Sequence, residues 1–455
     1  MDVLPDDVLL SIFEFCTNEV KVYSSQQGWQ TLVRVCRRWR NLVFGSPCGL
    51  NLQLICTDRT PARDMLDFWP PLPLVIQSFR YYGDCTIENV DNIVAVFERR
   101  NRVCRIDIKG ILTGKVLTAM QEPFPELTDL TSLTLCPNEK MIAVLPDSFL
   151  GGSAPRLRYL QLDGIPFPGL PNLLLSATHL TDLHLSDIPH SGYISPETMV
   201  DALSTLTSLG ILSLGFQSPL SLPDRPRRHP PPSKRFAIPV LTFFGFKGVG
   251  EYLVDLVVRM DAPLLKRLRI TFFNQILFDT PQLVQFISRT FALKSLEEAR
   301  VIFEGDAATV NFSSRASDYQ DLTVRILCEK SDWQVSALEQ VCTWCLPPFS
   351  SLENLYISED QYRRPNWQDN IENSLWLELL QSFTAVKNFY LSREFAPRIV
   401  PSLQELVGER TTEVLPTVQN IFLEGLQTSG PVQEGIQQFV TRRQASHSIA
   451  VSRWD

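Results

Sequence analysis

Residues 157–162 read Leu-Arg-Tyr-Leu-Gln-Leu, residues 180–185 Leu-Thr-Asp-Leu-His-Leu and residues 209–214 Leu-Gly-Ile-Leu-Ser-Leu. The shared pattern is an apolar residue, two others, an apolar residue, one other and a last apolar residue. Alternation at the end of each copy is the period of a strand with one buried face. Upstream, Val103-x-x-Ile106-x-Ile108 and Leu130-x-x-Leu133-x-Leu135 repeat the pattern. Downstream follow Leu241-x-x-Phe244-x-Phe246 and Leu265-x-x-Leu268-x-Ile270, then Leu352-x-x-Leu355-x-Ile357, Val386-x-x-Phe389-x-Leu391 and Val418-x-x-Ile421-x-Leu423. Leu296 to Val301 is a weaker copy, and Leu322 to Cys328 supplies another strand. The central positions 106, 133, 160, 183, 212, 244, 268 and 299 lie 23 to 32 residues apart. Amphipathic helices are predicted between the strands, most clearly over 196–206, 250–260, 281–293, 333–345 and 373–383. Strand and helix in alternation give parallel pairing through helical crossovers. The predicted fold class is therefore α/β: an irregular solenoid with parallel strands on the concave side and helices on the convex side.

Composition agrees with a folded chain. Of 455 residues, 44% are apolar and 20% charged, which is ordinary for a globular protein and excludes wholesale disorder. With 42 basic against 50 acidic residues the net charge is −8, which argues against nucleic-acid binding by bulk charge. No apolar run reaches 18 residues, so no membrane span is expected. The N-terminus is acidic where a secretory signal is basic, and ten scattered cysteines suit a reducing compartment. The expected location is intracellular, in cytoplasm or nucleus. One stretch interrupts the array: residues 217–235 hold six prolines and five basic side chains, and read as an exposed insertion loop.

The first fifty residues have a different period. Leu4-Pro5-Asp6-Asp7 reads as a helix start, with proline pre-organised for the first turn and carboxylates complementing the positive helix end. Val8, Leu9, Ile12, Phe13 and Cys16 follow as one apolar stripe. A polar stretch from Thr17 to Gln27 intervenes. A second helix is predicted to begin near Trp29, with Leu32, Val35, Cys36, Trp39 and Leu42 on its apolar face, and to end at Gly45-Ser46-Pro47. Two such helices bury too little surface to be very stable alone.

The runs LPDDVLLSIFEFC and LVRVCRRWRNLVFGSP resemble the F-box, over about residues 2–48. The repeats are similar to leucine-rich repeats, at the long and irregular end of that class. Their turn asparagine is present as Asn138 but replaced by Ile165, Ile188 and Gln217 in other copies. The combination resembles the large F-box/leucine-rich-repeat class. The stretch from Pro47 to Leu74 and the ending FVTRRQASHSIAVSRWD look like its fungal members. The resemblance implies an all-α F-box at 1–50, a bridge and poorly patterned first repeat at 51–102, a repeat solenoid at 103–445 and a tail at 446–455. It also implies docking on a Skp-type adaptor, and through it on a cullin scaffold. By position, Leu4, Pro5, Val8, Leu9, Ile12 and Phe13 would contact the adaptor, while Leu32, Val35, Cys36 and Trp39 shape the module.

Signals for chemistry are weak. Cys342-Thr343-Trp344-Cys345 has no second pair at zinc spacing and reads as core cysteines. His184, Asp187 and His190 lack a third ligand or a nucleophile. Gly245, Gly248 and Gly250 do not form a dinucleotide-binding fingerprint. No enzyme activity, metal or cofactor is expected. Between the pattern positions of the strands lie Tyr159, Gln161, His184, Lys266, Arg267, Arg269, Arg300, Asn354, Tyr356, Asn388, Tyr390, Asn420 and Phe422. Lys266, Arg267, Arg269 and Arg300, with Tyr356, Tyr390 and Phe422, are the candidate target-binding residues, for an acidic or phosphorylated segment with aromatic anchoring. The expected function is target recognition for a cullin-type ubiquitin ligase. The alternative is a repeat scaffold that binds the adaptor and ligates nothing.

Overall fold

A computed structural model describes residues 4–18, 28–47, 49–59, 61–78, 87–110, 112–121, 129–137, 144–221, 235–275, 278, 280–314, 321–365, 367, 371–406, 410–425, 430–443 and 449–454. Asn138, most of the polar stretch before Gly28 and residues 222–234 of the Pro/Arg-rich stretch lie outside them. The chain forms two compact units, Met1–Ile194 and Ser195–Asp455. Both alternate strand and helix, and the fold is α/β.

The first unit opens with three helices, Asp6–Asn18, Gly28–Val35 and Arg37–Gly45. Six strands follow: β1 (Leu54–Thr57), β2 (Leu74–Gln77), β3 (Val103–Lys109), β4 (Ser132–Cys136), β5 (Tyr159–Asp163) and β6 (Asp182–Ile188). Each pairs in parallel with its sequence neighbour. The register stacks Ile76, Ile106, Leu133, Leu160 and Leu183 in one row, and each of them is buried. Helices such as Ile87–Phe97 and Leu170–Ser176 bury their own apolar residues, among them Ile93, Leu173 and Leu174. The sheet thus begins at Leu54, inside the segment expected to hold a bridge and a poorly patterned first repeat.

The second unit departs from a simple parallel series. Its strands are β7 (Ile211–Phe216), β8 (Phe236–Ala237), β9 (Phe243–Gly248), β10 (Met260–Asp261), β11 (Arg267–Phe273), β12 (Glu298–Phe303), β13 (Ala307–Ser313), β14 (Leu322–Leu327), β15 (Asn354–Glu359), β16 (Asn388–Leu391), β17 (Asn420–Glu424) and β18 (Ala450–Trp454). The main sheet runs β7-β9-β11-β14-β13-β12-β15-β16-β17-β18, and β8 and β10 pair separately. β13 is antiparallel to both of its neighbours, against the expectation of uniformly parallel pairing. The reason lies in the connection. Only Glu304, Gly305 and Asp306 separate β12 from β13, and so short a loop joins antiparallel strands only. The chain then returns along β14, parallel to β11. The helical crossover from β11 therefore skips two places in the sheet, and β13 and β14 fill them.

Beneath β12 and its neighbours the core is aromatic. The Phe303 ring lies 5.1 Å from Phe395 and 5.7 Å from Trp376. Helices pack on this side, with Trp376, Leu379 and Leu380 buried on Asn373–Gln381. The C-terminal stretch expected as a tail carries β18, which pairs in parallel with β17.

Candidate functional site

Two exposed surfaces, one on each unit, carry the candidate residues. In the helix Asp6–Asn18 the i, i+4 pair Leu9 and Phe13 faces inward, and the Phe13 ring meets Trp39 at 4.8 Å. Leu9 is 3% exposed and Phe13 0%. Side chains so enclosed cannot reach a partner, so these two hold the helices together and are not adaptor contacts. Leu4, Val8, Ile12 and Phe15 are 40% to 66% exposed. Pro5 is exposed beside them. Arg38 fixes the start of this helix: its Nη2 donates to the Leu4 carbonyl and to Asp6 Oδ1, both at 2.6 Å.

The expected second helix is two helices. Cys36 is extended (φ −158°, ψ 170°) and separates Gly28–Val35 from Arg37–Gly45. That break changes which residues face inward. Leu32 is buried and Trp39 half-buried, but Val35 and Cys36 are exposed and do not shape the interior. Trp29 Nε1 donates to the Gln53 carbonyl at 3.0 Å, and its ring packs 5.0 Å from Trp69. The helices are thereby tied to the first strand and its crossover.

On the second unit, strand register brings five of the seven candidate target-binding residues into one row. Arg269 pairs with Thr323, Thr323 with Asn311, Asn311 with Arg300, Arg300 with Tyr356, Tyr356 with Tyr390, and Tyr390 with Phe422. Arg267 lies two residues before Arg269 on β11, with its guanidinium 5.3 Å from the Phe243 ring. Lys266 precedes the strand, its backbone N–H bonded to the Thr242 carbonyl, and does not join the row.

The rings of the row form a stack. Tyr356 and Tyr390 are 4.2 Å apart and 12° from parallel; Tyr390 and Phe422 are 4.4 Å apart and 7° from parallel. Trp454 of β18 stands against the stack, 5.6 Å from Tyr390, and its Nε1 donates to the Leu391 carbonyl at 3.3 Å. The Arg300 guanidinium caps the other end, 4.8 Å from the Tyr356 ring centre. Arg300 also pairs with Glu298 at 3.5 Å. Burial, then the Glu298 charge and Tyr390, pushes the Tyr356 hydroxyl up to about 12. Alongside runs a second ladder. Asn420 Nδ2 donates to Asn388 Oδ1, and Asn388 Nδ2 to Asn354 Oδ1, each at 2.8 Å. Inspection of repeat patterns misses Asn311, Glu298 and Trp454. The usable signals were the turn at Glu304-Gly305-Asp306 before Thr309-Val310-Asn311-Phe312, and the alternation that ends in Trp454.

The remaining candidates form no site. His184 is half-buried, with burial lowering its pKa against the opposing pull of Asp182. Its ring lies 5.5 Å from Tyr159. Cys342 and Cys345 lie in a π-helical turn, and Cys345 Sγ donates to the Phe278 carbonyl at 3.0 Å. Among the described residues no group of three His, Cys, Asp or Glu side chains is arranged to hold a metal. Among them no helix is long and apolar enough to cross a membrane.

No protein-family model matches this chain, and no curated protein does. Among solved structures, the leucine-rich repeat-containing protein LegL7 from Legionella pneumophila is similar at 12% identity and a TM-score of 0.26. The match covers 71% of this chain and 93% of that one.

Proposed function

We propose that the chain is the target-recognising subunit of a cullin-type ubiquitin ligase, with a Skp-type adaptor on its N-terminal helices and a target protein on the sheet of its second unit. The observation that carries this reading is the exposed strip of Leu4, Val8, Ile12 and Phe15. It runs from just before the helix Asp6–Asn18 onto it, where the sequence resembles the opening of an F-box. The same helix already spends Leu9 and Phe13 on its own interior, so the strip is a second, uncovered apolar face. Such a face fits the groove of a partner. Burying what remains exposed of each side chain contributes about 1 kcal/mol. That alone does not offset the roughly 4–15 kcal/mol cost of association, so the partner must add close fit and flanking polar contacts.

No covalent chemistry is assigned to the chain itself. Its part is to hold a target beside a ubiquitin-charged enzyme and raise the local concentration of the reacting pair. The setting is cytosolic or nuclear. The test is co-purification of the full chain with a Skp-type adaptor, beside a variant carrying Leu4→Ala, Pro5→Ala and Ile12→Ala. The wild type is expected to form a stoichiometric complex that the variant, with an unchanged melting profile, loses. A folded wild-type chain that takes no adaptor overturns the reading.

A further inference from the structure

Arg269 stands exposed on β11, with no acidic side chain in ion-pair range among the described residues. The next two places along the row are covered: Thr323 is 8% exposed and Asn311 6%. Arg300 comes next. It spends one Nη2 on Glu298 and one face on Tyr356, which leaves further N–H donors unspent. Beyond it lie the half-buried rings of Tyr356, Tyr390 and Phe422. In order, the row therefore presents an exposed cation, the covered Thr323 and Asn311, a second cation and a half-buried aromatic strip.

We infer that this row seats an extended acidic peptide segment lying across the strands. An acidic side chain sits on Arg269. A second acceptor meets Arg300, and an aromatic or proline residue rests on the edges of the ring stack. The inference names the class of target for the reading above and rests on it for every step after capture. Length fits: Arg269 and Phe422 are six strand spacings apart, about 29 Å, which about nine extended residues span. A peptide suits the row better than a nucleic acid. Bases need open ring faces, and these faces are taken up by one another at 4.2 and 4.4 Å. The net charge of −8 also repels a polyanion.

The test is selection of random nonapeptides displayed on phage against the purified full chain, followed by polarisation titration of the best synthetic peptide. Enriched peptides should carry Asp or Glu near one end and an aromatic or proline residue five to eight positions away. Arg269→Glu should weaken the selected peptide by at least about tenfold and turn the selected end basic. Arg269→Gln, which only removes the charge, should weaken it without that reversal, and it substitutes for Arg269→Glu should the latter unfold. A phosphoserine version of the peptide, titrated in parallel, shows whether phosphate or carboxylate is the better occupant of the Arg269 end. No enrichment, enrichment without acidic residues, indifference to Arg269→Glu, or tighter binding of a single-stranded RNA oligonucleotide overturns the inference. The same preparation is tested for adaptor binding. A chain that takes the adaptor but selects no peptide refutes this inference alone, and one that selects peptides but takes no adaptor refutes the ligase reading alone.

Discussion

Ile12 and Phe13 are neighbours in the chain, but Ile12 is exposed and Phe13 is fully buried, so they separate folding from docking. Phe13→Ala removes a fully buried ring from the contact with Trp39 and should cost about 3–5 kcal/mol, read as a lower urea midpoint for the N-terminal helices. Ile12→Asp alters an exposed position and should shift stability by no more than about 0.5 kcal/mol while abolishing adaptor binding. Equal destabilisation by the two would contradict the inward and outward assignment. Tyr356 offers a second residue-scale measurement. Its hydroxyl is pushed up to about 12 by burial and by Glu298, while in the unfolded chain it titrates near 10. Between those values the folded state keeps a proton that the unfolded state has lost. The stabilisation is therefore complete below about pH 10 and is lost as pH rises toward 12. Absorbance titration should show a late tyrosinate step that Tyr356→Phe removes, and the alkaline fall in stability should become shallower in that variant. A Tyr356→Phe chain with an unchanged titration curve would refute the assignment.

Close approach between elements explains one glycine that helix propensity disfavours. Gly435 lies within Pro431–Arg443, where a Cβ would come 2.3 Å from Val400 Cγ1 and 2.9 Å from Gln404 Nε2 on the helix Ala396–Gln404. Alanine would gain about 1 kcal/mol in propensity. The clash is with a stiff β-branched side chain and should cost about 1–3 kcal/mol, so Gly435→Ala should lower the melting temperature. A similar economy fixes the β12–β13–β14 meander. Gln334, fully buried on Ser331–Gln340, donates from Nε2 to the Glu304 carbonyl at 3.0 Å and the Cys328 carbonyl at 2.7 Å. The apolar β11 and β12 copies were legible in the sequence because Leu268, Ile270, Ala299 and Val301 keep the repeat spacing. β13 was not, because Ala307 to Ser313 is buried on both faces and carries no such spacing. Its sign was Gly305 in a three-residue turn, which is hairpin chemistry and not crossover chemistry. β1 and β2 escaped for another reason: each is only four residues long, and Leu54-Ile55-Cys56 and Leu74-Val75-Ile76 are unbroken apolar runs without alternation. Cys36 gave no break signal at all, since neither glycine nor proline stands there. In the proposed target-binding row the charges and rings were legible from spacing, but Asn311 and Trp454 entered through strand pairings that the repeat pattern does not encode.

At the scale of the whole chain, the proposed adaptor face belongs to one unit and the proposed peptide row to the other, joined by one covalent backbone. In the proposed reading the chain works by joining two binding events. That makes a specific prediction about complementation. Ile12→Asp should retain peptide binding and lose the adaptor, and Arg269→Glu should do the reverse. Each variant should therefore fail to support ubiquitin transfer to a reporter carrying the selected peptide in a reconstituted ligase. Mixing the two should not restore transfer. Linkage in one chain turns the second binding event into an intramolecular one at an effective concentration that reaches millimolar for short tethers, and two separate chains at micromolar concentration forfeit that advantage. Transfer should return only when both wild-type surfaces lie in the same polypeptide. Recovery by the mixture would show that the surfaces act on different molecules, and the chain would then be an assembling scaffold instead of a receptor.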